Sequence, residues 1–357
     1  MKRNKLIILL VLALAAVFAL NACSPSTAEI AEATAVPSDL AAEPTDAPAA
    51  TPLPDPTQVP EPTTIPATEV PVADEVAVET IMLTDGLGNE IVLVGPARKV
   101  ISLAPSNTEI LFAVGAGAQV VGRDAFSDFP PEAVDVPDIG GGFGELDMET
   151  IVALEPDLVF VADITPPEQV QTLTDIGLTV YALANPTDIA SMYENLRIAA
   201  QLTGHEEETE LLISTLEARV TAVTETVANA TVTPLVFYEI DSTEPDAPWT
   251  SGPGTFTDTL IQMAGGNNVG SVLEGDWAQI SIEELITQDP DIILLGDYTW
   301  GGVTPEDVAA RSSWQGLTAV QNENVFTFDD NLVTRPGPRL VDGLEAFAQQ
   351  LHPELFE

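Results

Sequence analysis

Two kinds of hydrophobic pattern alternate along most of the chain. Residues 158–161 and 292–295 are short, continuous apolar runs, as expected of β-strands covered on both faces, and residues 100–103 and 235–238 are candidate strands of the same kind. Elsewhere the spacing is helical: Ile189, Met192, Tyr193, Leu196 and Ala200 fall on one face, and Leu212, Leu216, Val220, Val223 and Val227 on another. The second of these predicts a helix over residues 205–228, about 36 Å long at 1.5 Å per residue. Such a helix can bridge two lobes or lie on one of them, and the spacing alone leaves both open.

The pattern repeats. Residues 149–161 (ETIVALEPDLVFV) and 283–295 (EELITQDPDIILL) each read as a short helix, a Pro-Asp break and an apolar strand. Proline cannot continue a helix and pushes the preceding residue toward extended geometry, so Pro156 and Pro290 mark helix-to-strand turns. Upstream, residues 108–117 (TEILFAVGAG) align with 257–266 (TDTLIQMAGG), each a helix closed by glycine. Downstream, a helix at 168–176 with a strand at 178–183 matches a helix at 305–310 with a strand at 324–328. Two copies of one βα unit predict an α/β fold of two Rossmann-like lobes.

The N-terminus has a different character. Lys2, Arg3 and Lys5 precede an apolar run of fifteen residues, 6–20, the layout of a secretory signal and too short to span a bilayer comfortably. Leu20-Asn21-Ala22 then leads to Cys23, the sole cysteine, as in a bacterial lipobox. Cleavage of 1–22 and lipidation of Cys23 are expected, which places the protein outside the cytoplasm and anchored to the cell membrane. Residues 24–77 hold eleven prolines, no aromatic residue and no Lys or Arg, which predicts a disordered tether reaching roughly 40 Å. The expected division of the rest is an N-terminal lobe at 78–203, an interlobe helix at 204–230 and a C-terminal lobe at 231–357. Beyond the signal, eight basic residues face 56 acidic ones, so nucleic acid and anionic lipid are disfavoured as partners.

Catalytic chemistry finds few candidates. His205 and His352 are the only histidines and Cys23 is committed to lipid, which excludes a His-rich metal site or a Cys/His nucleophile. Gly115 and Gly117 suggest half of a dinucleotide fingerprint but close a helix instead of opening one. Aromatic residues beside turn formers carry more information: Phe126, Phe143, Trp249, Trp277, Tyr298 and Trp300. In α/β sheets ligands bind beyond the carboxyl ends of strands, in pockets with aromatic linings, so these rings point to a cleft.

Four segments together, 98–110 (RKVISLAPSNTEI), 126–131 (FSDFPP), 148–157 (METIVALEPD) and 335–339 (RPGPR), resemble the helical-backbone (class III) solute-binding proteins of ABC importers, in particular the cobalamin-binding, BtuF-like branch, whose relatives carry ferric siderophores and haem. The resemblance spans about residues 80–355. It implies two lobes joined by one rigid helix, a ligand cleft between them, a monomer without cofactor, no enzymatic activity, and delivery of cobalamin or a related metal chelate to an importer permease dimer. Carried over by position, Phe126, Phe143, Trp249 and Trp277 match aromatic residues set against a corrin, and Asp330 and Arg335 match a polar pair on the second lobe. Where the branch has a further tryptophan after the first Pro-Asp strand, this chain has Ala162 and Asp163. Glu149 and Glu283, at matching places in the repeat, match glutamates that dock on transporter arginines. The alternatives are a ferric-siderophore or haem carrier of the same family and, from other classes, an extracytoplasmic chelatase-like enzyme or an adhesion module.

Overall fold

The computed structural model describes residues 80–142 and 144–356, which belong to one compact unit. Cys23, the signal segment and the tether lie outside these residues, as does Phe143. Two parallel sheets of four strands organise the rest. The first is built from β3 (Val100–Ser102), β4 (Val120–Arg123), β5 (Leu158–Ala162) and β6 (Val180–Leu183), in the order β4-β3-β5-β6. The second is built from β7 (Leu235–Glu239), β9 (Asn267–Asn268), β11 (Ile292–Leu295) and β12 (Val325–Thr327), in the order β9-β7-β11-β12. The two orders are the same once β3 is laid on β7, so the sequence repeat is a topological one. A hairpin of β1 (Thr80–Thr84) and β2 (Glu90–Val94) hangs on the first sheet, where the Tyr181 hydroxyl donates to the Thr84 carbonyl at 3.0 Å. A two-stranded antiparallel pair, β8 (Trp249–Ser251) with β10 (Trp277–Gln279), belongs to the second lobe.

Helices cover the sheets: α1 (Pro105–Ala113), α2 (Met148–Leu154), α3 (Pro167–Asp175), α4 (Ile189–Thr203), α5 (Glu206–Val227), α6 (Phe256–Met263), α7 (Ile282–Gln288), α8 (Tyr298–Gly301), α9 (Pro305–Ala310), α10 (Thr318–Gln321), α11 (Asn331–Thr334) and α12 (Leu340–Leu351). Among the described residues no helix is long and apolar enough to cross a membrane.

The helix-Pro-Asp-strand unit has a clear physical basis. Both α2 and α7 end on a left-handed residue, Glu155 and Asp289, each at φ 50°. This conformation costs a side chain about 1 kcal/mol. The aspartate after each proline offsets that cost by tying the turn to the central strand. Asp157 accepts from the amides of Arg98 and Lys99 at 2.8 and 2.9 Å, and Asp291 accepts from the Leu235 amide at 2.8 Å. The strands that follow, β5 and β11, are buried almost throughout, as their unbroken apolar sequence requires.

The glycines that close α1 and α6 adopt positive φ, 95° at Gly115 and 81° at Gly265. Each lies under one of the two histidines, His205 over Gly115 and His352 over Gly265, so both imidazoles serve equivalent helix ends. His205 Nε2 bonds Gln119 at 2.8 Å, and His352 Nε2 faces the Gly265 carbonyl at 3.3 Å.

Helix α5 is one residue shorter at each end than its spacing predicted, and at 22 residues it runs about 33 Å. It packs on α4 and on α12. Arg197 of α4 pairs with Glu210 near its start, and Arg219 near its middle pairs with Asp342 and Glu345 of α12. Exposed pairs of this kind contribute at most about 1 kcal/mol each. The apolar face does more: Ile213, Leu216, Val223 and Val227 are buried in one continuous core with Val100 and Tyr181 of the first lobe and Val236 and Phe347 of the second. The open question of strut against single-lobe packing is therefore settled for the strut.

Candidate functional site

A cavity of about 600 Å³ lies between the lobes. Most of its wall follows from where a parallel strand ends. After β3 come Pro105, Ser106 and Asn107; at the end of β5 and beyond it, Ala162, Asp163 and Ile164; at the end of β6 and beyond it, residues 183–186. From the other lobe, Ile240 follows β7, while Asp330, Thr334, Arg335 and Pro336 follow β12. Phe256, at the start of α6, and Trp277, on β10, complete that wall. Parallel strands deliver their connecting loops to one edge of the sheet, and two sheets of equal topology bring two such edges face to face.

Trp277 stands edge-on to buried Phe256, with ring centroids 5.7 Å apart. In the β8–β10 register Trp277 faces Ser251 and Gln279 faces Trp249, so both tryptophans share one face of the strand pair as diagonal neighbours. Each keeps 40% of its surface exposed, although partners of comparable size are at hand. Sequence reading placed these rings in separate loops. The pairing joins segments 26 positions apart, which no local pattern announces.

The two charged residues expected as a polar pair do not pair with each other. Asp330 accepts from the Tyr238 hydroxyl at 2.5 Å and from the Thr334 hydroxyl at 3.0 Å. Burial pushes its carboxyl above the usual range, against those two donors. Arg335 reaches across to the first lobe, donating to Asp128 at 2.6 Å and lying 3.4 Å from Glu109. Beside it Arg339 makes a bidentate bond to Glu109 at 2.8 and 2.5 Å and stacks 4.0 Å from the Phe129 ring centre. Glu109 is 2% exposed, and its burial raises its carboxyl pKa even though both arginines oppose the shift. One buried carboxylate held by arginines of the opposite lobe fixes the width of the cleft on this side. Sequence reading missed Glu109, whose only signal was an acidic residue at the head of the apolar stretch Ile110–Ala113.

The other predicted rings are less central. Phe126 is half-exposed, lies over Gly142 and does not line the cavity. Tyr298 borders a separate shallow depression with Thr327 and Asp329. Trp300 donates its indole N–H to the Ile240 carbonyl at 3.1 Å and so braces the cavity wall from behind. Ala162 and Asp163, which stand where the resembling branch has a tryptophan, line the cavity, and so do Asn107 and Phe256, which were not singled out although the strand-end rule pointed at Asn107.

Beneath the second lobe's edge lies a buried ionic cluster. Arg311 donates to both oxygens of Glu239 at 2.6 and 2.9 Å and to Ser242 at 2.8 Å, while Ser242 donates to Asp297 at 2.5 Å. Burial, with Asp297 adding repulsion, lifts Glu239 to about 7 despite Arg311.

Glu149 and Glu283 occupy the second position of α2 and α7, and both are exposed. The caps of these helices are supplied by other residues: Asp147 accepts from the Thr150 amide and Ser281 from the Glu284 amide. Neither glutamate side chain has a hydrogen bond or ion pair among the described residues.

With this geometry the comparisons agree. Residues 100–332 match the periplasmic binding protein family. The chain belongs to that family. This periplasmic binding protein is 27% identical over 282 residues to an ABC transporter substrate-binding lipoprotein of Bacillus subtilis, a match covering 78% of this chain and 87% of the relative. It is also 27% identical over 290 residues to a cobalamin-binding protein of Halobacterium salinarum, covering 78% and 76%. Among solved structures, the vitamin B12-binding protein BtuF of Vibrio cholerae superimposes with a TM-score of 0.62 at 25% identity, over 73% of this chain and 99% of that one. The haem-binding protein RhuT of Roseiflexus gives 0.63 at 25% identity, over 72% and 99%. Family members are solute-binding proteins, and a permease and a small-molecule ligand are their partners.

Proposed function

We propose that this periplasmic binding protein captures cobalamin in the interlobe cavity and delivers it to an ABC importer, tethered to the membrane through lipidated Cys23. The observation that carries the reading is Trp277. It is a large flat ring seated on Phe256 at the wall of a 600 Å³ cavity whose surface is mostly apolar, with a second ring, Trp249, on the same face beside it. Flat macrocycles bind by such contact area, and a few polar groups set their orientation. The named cobalamin binders among the relatives support the same choice.

A haem or ferric-siderophore ligand is the second reading, favoured by one feature, the Arg335 guanidinium in the cavity wall. Arg335 already faces Asp128 and Glu109, which weakens its pull on a ligand carboxylate. Titration of the purified full-length protein with cyanocobalamin, haemin and a ferric hydroxamate decides between them. Tight one-to-one binding of cyanocobalamin is expected, and preference for either of the others overturns the cobalamin reading.

Glu149 and Glu283 are proposed as the docking pair, since both are exposed, lack a side-chain partner among the described residues and stand at the same place in each copy of the repeat. Replacing both with alanine should leave ligand affinity and melting temperature unchanged and weaken association with permease-containing membranes, most visibly at low salt, where the lost charge attraction is least screened. Normal docking by the double variant would return both residues to a role at the helix N-terminus.

A further inference from the structure

The corner of the cavity that follows β5 and β6 presents hydrogen-bond acceptors that nothing in the chain satisfies. The two strands are neighbours, with Ala162 opposite Leu183, so the next residues, Asp163 and Ala184, leave the sheet beside each other. The turn after β5 is held by Thr165, whose amide donates to the Ala162 carbonyl at 2.9 Å and whose Oγ1 accepts from the Ala162 amide at 3.2 Å. Asp163 and Ile164 form the tip of that turn, and both line the cavity. Asp163 is exposed, and its carboxylate has no hydrogen bond or ion pair among the described residues. Ile164 is 78% exposed, an apolar side chain that gains by being covered when a ligand of matching surface lies against it.

On the β6 side a second acceptor is oriented from within. Asn195 of α4 is 4% exposed, and its Nδ2 donates to the Ala184 carbonyl at 2.9 Å. Only the nitrogen of the amide can make that bond, so the group's orientation is set and Oδ1 is left as its open end. Asn195 lines the cavity, and Oδ1 has no partner and is not among the polar atoms sealed from solvent. Asn185, exposed on the loop after β6, can turn either end of its amide inward and does not set the sense of the corner. Charge narrows the choice further. Among the described residues Arg335 is the only cation lining the cavity; it belongs to the opposite lobe, and its Nη1 is taken by Asp128 and Glu109. A ligand carboxylate brought to Asp163 meets like charge with no cation of the same lobe to offset it, whereas an uncharged N–H group meets two acceptors.

We propose that the Asp163 carboxylate and Asn195 Oδ1 form a subsite for uncharged N–H groups on the rim of the ligand, such as primary carboxamides, while Ile164 covers the apolar surface beside them. Asp163 is then a specificity-determining residue, favouring a macrocycle edged by carboxamides over one edged by carboxylates. This rests on the reading of the cavity as the seat of a cobalamin-type macrocycle.

The test compares wild type, Asp163→Ala and Asp163→Asn in the full-length protein. Each is titrated with cyanocobalamin, with the separate isomers of its monocarboxylic acid, in which one side-chain amide is hydrolysed, and with haemin. Melting temperatures should match that of wild type, because the side chain replaced is exposed and unpartnered. Asp163→Ala should weaken cyanocobalamin binding about tenfold, the loss of one hydrogen bond to a charged acceptor. At least one of the acids should bind wild type less tightly than the parent does. Asp163→Asn keeps an acceptor, adds a donor and removes the charge, so for that isomer it should cut the penalty relative to the parent by about tenfold. A residue that only shapes the turn would leave this ratio where it was. Unchanged cyanocobalamin affinity in Asp163→Ala, or the same acid-to-parent ratio in wild type and Asp163→Asn for every isomer, overturns the subsite and leaves the cobalamin reading intact. Preference of wild type for haemin, or binding of none of these ligands, overturns the subsite and the reading together.

Discussion

The lobes share a strand order and a helix-Pro-Asp-strand unit, yet what lies at their facing edges differs. Under the first lobe's edge sits an uncharged network capped by one acid: Thr108 bonds Ser102 and Ser127 at 2.7 Å each, and Ser127 donates to Asp124. Under the second lies the Glu239–Arg311–Ser242–Asp297 cluster, and above it the inserted β8–β10 pair presents Trp249 and Trp277. The position aligned in the repeat is Glu109 in one lobe and Asp258 in the other. Glu109 reaches arginines of the opposite lobe, whereas Asp258 stays within its own, accepting from Asn268 at 2.9 Å and Gln262 at 2.8 Å. Repeated elements supply placement, and the segments between them supply chemistry.

The largest expected consequence concerns that aligned pair. Glu109→Ala leaves two arginines facing an emptied, buried site and should cost about 3 kcal/mol in denaturant unfolding. Asp258→Ala loses hydrogen bonds from uncharged donors and should cost about 1–2 kcal/mol. Equal losses would erase the distinction between an interlobe and an intralobe acid. Next in size, Asp157→Ala and Asp291→Ala should destabilise by similar amounts, about 1–2 kcal/mol each, with Asp157 slightly the greater because it holds two amides to the single one of Asp291. A large effect in one lobe alone would deny the repeat its common mechanism.

Much of this was legible in the chain. The apolar runs named β3, β5, β7 and β11 correctly, and the Pro-Asp turns named the repeat, because strand burial and proline geometry act locally. The cleft's aromatic wall was only half legible. Trp277 was singled out and does line the cavity, but Phe126, Tyr298 and Trp300 were chosen on the same turn-residue signal and fall beside it. Neighbouring glycine or proline reports a loop, not the direction a ring takes from it. Strand β4 is mixed and partly exposed, and hairpin β1–β2 went unread although Ile91–Val94 is an apolar run, because it lies outside the repeated unit and is exposed along much of its length.

A smaller effect separates the two buried floors by pH. Glu239 holds its proton up to about 7 in the folded protein, against 4.5 for an unperturbed glutamate, so wild type loses stability as pH rises through that interval and the loss is complete above it. Asp297, itself pushed up by burial, and Arg311 share the cluster and set the size of the effect. Melting curves of Glu239→Gln should therefore gain on wild type between about pH 4.5 and 7 and keep a constant difference above. A difference independent of pH would mean that Glu239 is ionised throughout.

The account rests on one ligand seated between the lobes against Trp277. Calorimetric titration of cyanocobalamin into wild type and Trp277→Ala addresses it directly. One site per chain is expected, with the variant weakened by about thirtyfold, the loss associated with a buried aromatic anchor. Saturable binding of equal strength in both proteins would place the ligand elsewhere and contradict the account.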